Sequence, residues 1–89
     1  MNLRKNESCL IITDNKLSEV GHELYKNSLK ITKKSTLVLI PIPAAHGSEP
    51  PQNVADKMLN YDVILMSTTK SLSHTKAREN ATRKGARIA

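Results

Sequence analysis

With 89 residues, 38% hydrophobic and only 2% aromatic content, the chain can form one small domain with an aliphatic core, and nothing larger. No apolar run approaches the ~20 residues of a membrane span, and the opening MNLRKNES does not read as a signal peptide. The lone Cys9 excludes an internal disulfide and fits a reducing cytoplasm.

The net charge of +6 is unevenly placed, with +5 in residues 70–89 and +1 in the rest. The basic segment has no stacking aromatic and no nucleic-acid motif, so it reads first as a solvated helix face or a surface for an acidic neighbour. Non-specific nucleic-acid association is the weaker reading.

In chain order, the first apolar run is Cys9 to Thr13, nearly continuous as in a strand covered on both faces. Lys16 to Ile31 follows with helical spacing. Leu17, Val20, Leu24 and Ile31 share one face there, with the small Gly21 and Ser28 among them. A second strand is expected over Leu37 to Ile42. The proline pair Pro50-Pro51 then opens a helix reaching about Asn60, with Val54, Ala55, Met58 and Leu59 inward.

Val63 to Met66 is the third strand, ending in a hydroxyl-rich loop of Ser67, Thr68, Thr69, Lys70, Ser71 and Ser73. A helix from about Ser73 to Lys84 turns His74, Ala77 and Ala81 inward, with Arg78 at the margin, and Gly85 suits its end. A fourth strand, Ala86 to Ala89, has a bare outer edge that invites pairing with further polypeptide.

These elements predict an α/β fold, a Rossmann-like three-layer unit over residues 1–89 with a short parallel sheet. The pattern is β-α-β-α-β-α-β, with right-handed crossovers and the order 2-1-3-4. The last strand makes the unit look incomplete at its C-terminus.

Ligands of such sheets are met beyond the strand ends, so the loops after strands two and three carry the candidate chemistry. His74 would point inward at a helix N-terminus, which favours the neutral ring as base or donor. It would equally serve as a cap or pack over the strand end. Thr68, Thr69, Ser71 and Ser73 could hold an anion, though capping by Ser71 or Ser73 is the simpler account.

Asp14 and Asn15 read as caps of the first helix. A phospho-receiver would need a further acid where Ser67-Thr68-Thr69 stand. His46 and Glu49 form either an acid/base or metal pair, or a turn with an acid beside a helix dipole. With His22, the three histidines and one cysteine show no metal-ligand spacing. Cys9, inside a strand, reads as a core residue.

His46-Gly47, Glu49-Pro50-Pro51, Ser71-Leu72-Ser73-His74-Thr75-Lys76-Ala77-Arg78 and Gly85-Ala86-Arg87-Ile88-Ala89 together follow a known pattern. The chain resembles the N-terminal region of the aminopeptidase T family of leucyl aminopeptidases, thermophilic metallopeptidases, and their dihydroxypyridine dioxygenase-like relatives. The resemblance implies about the first quarter of a family member. It also implies a divalent metal held by later Glu, His and Asp segments, so no residue here inherits a metal-ligand role.

From the dioxygenase branch, the histidine of the S-L-x-H-T loop borders the substrate pocket. That makes His74 the candidate acid/base of a complete enzyme, with Leu72, Thr75 and Thr68 as substrate contacts. The implied function is the substrate-pocket and scaffold portion of a leucyl aminopeptidase-like hydrolase, inactive alone. Its partner would be the remaining catalytic portion, or a second copy through the exposed fourth strand. The alternative is a free-standing α/β binding module for an anionic metabolite or a protein partner.

Overall fold

Four parallel strands in the order β2-β1-β3-β4 form the sheet of the computed structural model, which describes residues 3–42, 49–68 and 75–88. β1 (Cys9–Asp14) lies centrally between β2 (Ser35–Ile40) and β3 (Val63–Ser67), and β4 (Arg87–Ile88) pairs with the start of β3. The α/β class and the strand order match the expectation from sequence.

The topology dictates where the helices lie. The step from β1 to β2 runs one way across the sheet, and the steps to β3 and β4 run the other way. Right-handed crossovers then place α1 (Ser18–Leu29) on one face, and α2 (Gln52–Met58) and α3 (Lys76–Arg83) on the opposite one.

Alternate strand residues divide accordingly. Leu10, Ile12 and Ile64 pack with Val54, Met58, Ala77 and Ala81 under the two helices. Cys9, Ile11 and Val63 pack with Leu24 and Tyr25 under α1. Every residue of β1 is buried, which explains its unbroken apolar run.

Helix α1 keeps part of the expected face, with Leu24 packed on the core, but its seam is narrower. Its buried residues are Gly21 and Ser28, whereas Val20 and Ile31 are 52% and 46% exposed. A Cβ on Gly21 would lie 2.6 Å from the Thr13 Cβ, so the helix crosses the central strand on its smallest residue. That close approach rotates Val20 out of the core.

Boundaries also move. β2 begins at Ser35 and stops at Ile40, because Pro41 has no N–H to continue the ladder, and Ile42 is left exposed. α3 starts three residues later than expected, with Thr75 as its cap, and ends before Gly85 at φ +100°. No described helix is long and apolar enough to cross a membrane.

Candidate functional site

The strand order reverses direction between β1 and β3, so the crevice beyond their carboxyl ends is where such a sheet meets ligands. The register pairs Thr13 with Ser67. One step further on, Asp14 and Thr68 therefore stand side by side on that edge. Asp14 is fully buried and Thr68 partly so.

Asp14 is a turn-forming residue, as the sequence suggests. Its Oδ1 accepts from the N–H groups of Lys16 and Leu17, each at 3.1 Å. The Thr13 hydroxyl donates to the Leu17 carbonyl at 3.1 Å. Leu17, the residue before α1, has no side-chain cap of its own, so the turn is held by strand residues instead.

The other wall is the start of α3. Thr75 is buried, and its hydroxyl accepts from the Arg78 N–H at 3.1 Å. A second acceptor comes from the loop before α2. The Glu49 carboxylate receives the Lys76 N–H at 2.7 Å on Oε2 and the Ala77 N–H at 3.1 Å on Oε1. The first three N–H groups of α3 are thereby occupied from within the chain, with a carboxylate at the positive end of the helix dipole.

This arrangement corrects one expectation and resolves another. The cap of α3 is Thr75 aided by Glu49, and the helix begins beyond Ser71 and Ser73. Glu49 serves a helix dipole, but that of α3, across 27 residues of sequence, rather than that of the helix it precedes. No local pattern signals such a contact. Between α2 and α3, a shallow depression of about 310 Å³ is bordered by Glu49, Gln52, Ala55, Lys76 and Asn80.

Of the sequence-derived site residues, Thr68 and Thr75 frame the crevice. His74, Leu72, Ser71, Ser73, Thr69 and His46 lie outside the described residues. His22 is exposed, and its Nδ1 donates to the Ser18 carbonyl at 2.8 Å. Among the described residues, no three His, Cys, Asp or Glu side chains gather in a way that could hold a metal ion. Burial pushes the Cys9 thiol pKa up, which keeps it protonated and unreactive inside β1.

Fold and crevice together define a parallel α/β unit with its candidate site at the topological switch point. Comparison with known proteins adds no closer relative: no family model, no curated protein and no solved structure matches the chain.

Proposed function

We propose that this chain is the substrate-pocket and scaffold portion of an aminopeptidase T-like metalloenzyme, and that it is catalytically inactive by itself. The observation that carries this reading is the Glu49 clasp. Two of the stretches that carry the resemblance are Glu49-Pro50-Pro51 and the segment ending Thr75-Lys76-Ala77-Arg78. These two stretches meet through the Glu49 carboxylate on the Lys76 and Ala77 amides. Motifs that are distant in sequence thus converge on one edge of the sheet, as parts of one site would.

In this reading Thr68 and Thr75 flank in sequence the segment that carries Leu72 and His74. Leu72, Thr75 and Thr68 contact substrate, and His74 moves a proton in the complete enzyme. The divalent metal is held by segments that follow in sequence. Their strands, or a second copy, pair alongside β4 and the end of β3. Among the described residues only Val63 and Ile64 of β3 have β4 partners on that side.

The alternative is a free-standing module for an anionic metabolite or a protein partner, and its anion-binding form has less support. The amides that would receive an anion at α3 are already bonded to Glu49 and Thr75.

Two measurements test the proposal. Genomic sequence beyond the Ala89 codon should continue in frame through segments supplying Glu, His and Asp ligands. The 89-residue chain should not hydrolyse leucine p-nitroanilide with added divalent metal, whereas the continued chain should. A stop codon directly after Ala89, or turnover by the 89-residue chain alone, would sink the proposal.

A further inference from the structure

Four lysines collect at the end of the sheet opposite the crevice, where α1 finishes and β2 begins. Lys5, Lys30, Lys33 and Lys34 ring a depression of about 340 Å³ whose remaining lining is Leu29 and Ile31. Those two aliphatic side chains are 40% and 46% exposed. None of the four lysines is paired with a carboxylate among the described residues. A helix C-terminus favours a nearby cation, but that does not account for four unpaired cations surrounding exposed aliphatic surface.

Ile31 also borders a second groove, of about 270 Å³, lined chiefly by Leu3, Leu24, Val63 and Leu65. This groove exists because one helix covers this face of the sheet while two cover the other. The shared Ile31 joins an apolar trough to a basic one.

We propose that this composite surface docks an acidic peptide segment of another protein, with apolar side chains in the groove and carboxylates on the lysine rim. A second copy of the chain is poorly matched, since its net charge is +6 and most of its carboxylates are engaged. Glu7 is bound to Arg87, Glu49 to α3, Asp62 to Ser8 and Glu79 to Arg83, while Asp14 is buried. A nucleic acid would want stacking side chains, and the rim has none. A bilayer offers a flat charged face, whereas Val63 and Leu65 are recessed and need protruding side chains to reach them.

The test uses a labelled, end-capped peptide of two leucines followed by four glutamates, titrated against the full chain by fluorescence anisotropy. Controls are the same peptide with serines for leucines, and phosphatidylserine vesicles. We expect saturable binding, amide shifts at Leu24, Ile31 and Leu65, and weakening of roughly tenfold in Lys5→Glu/Lys33→Glu. Ile31→Ser, at an exposed position that leaves the core intact, should weaken binding as well. Equal binding of the serine peptide, binding of vesicles but not peptide, or no saturable binding of any probe would each overturn the proposal.

Discussion

The Glu49 carboxylate and the Lys76 amide, 27 residues apart in sequence, meet at 2.7 Å and tie the loop before α2 to the first turn of α3. The bond removes a helix N-terminus from the groups available to a ligand.

Glu49→Ala should therefore destabilise the fold by about 1 kcal/mol, the usual worth of a helix cap. Glu49→Gln should cost less, since one carbonyl oxygen still accepts. Urea unfolding measures both, and an Ala variant as stable as the parent would show that Thr75 alone suffices.

Gly21→Ala sets two effects against each other. Alanine favours a helix by ~1 kcal/mol over glycine, but its Cβ would sit 2.6–2.7 Å from three atoms of the Thr13 side chain. Thr13 is fully buried in the central strand, and its hydroxyl is bonded to Leu17, so it has little room to yield. Overpacking of this kind costs about 1–3 kcal/mol. The melting temperature should fall, and a rise would mean that α1 can slide off the strand.

Acid should loosen the amino end of the sheet. The Arg87 guanidinium forks onto both Glu7 carboxylate oxygens at 2.8 Å and, with the Arg4 N–H, holds its pKa below the ordinary 4.5, against the opposing effect of desolvation. A carboxyl whose pKa is lower folded than unfolded stabilises the fold fully above the unfolded value, and that contribution fades as pH falls through the folded one. Stability measured from pH 7 down to pH 2 should decline below about 4.5. The decline should be shallower in Glu7→Gln, which has no such proton to take up.

Cys9 reports on opening. Its thiol is fully buried in β1 with its pKa raised, so iodoacetamide should label it only when the sheet unfolds. Labelling rates across a urea series should follow global unfolding. Fast labelling in native buffer would show that β1 is transiently exposed.

Much of the architecture is legible from residue patterns because burial on two faces forces strands into continuous apolar runs. Cys9 to Thr13 and Val63 to Met66 are such runs, and the helices between them repeat apolar residues near every fourth position. Edges were harder to read. Ile42 looks like strand until Pro41 is seen to end the ladder, and Val20 looks like core until Gly21 is seen against Thr13. Periodicity records which residues are apolar; it registers neither the missing N–H of Pro41 nor how closely α1 approaches β1.

The site divides in the same way. Asp14 as a turn-forming cap and Thr68 at a strand end follow from local chemistry, since a short polar side chain after a buried strand meets the free N–H groups of the next turn. The α/β class, the parallel strands and the aliphatic core follow from residue pattern, because burial on two faces forces continuous apolar runs and helical spacing separates them. The favoured order 2-1-3-4 is the one the strand pairing shows. That Glu49 caps α3, that Gly21 sits against Thr13, and that Lys5 joins Lys30, Lys33 and Lys34 around one depression emerge only in three dimensions. Each of those depends on how closely separate elements approach one another, and no local pattern encodes it.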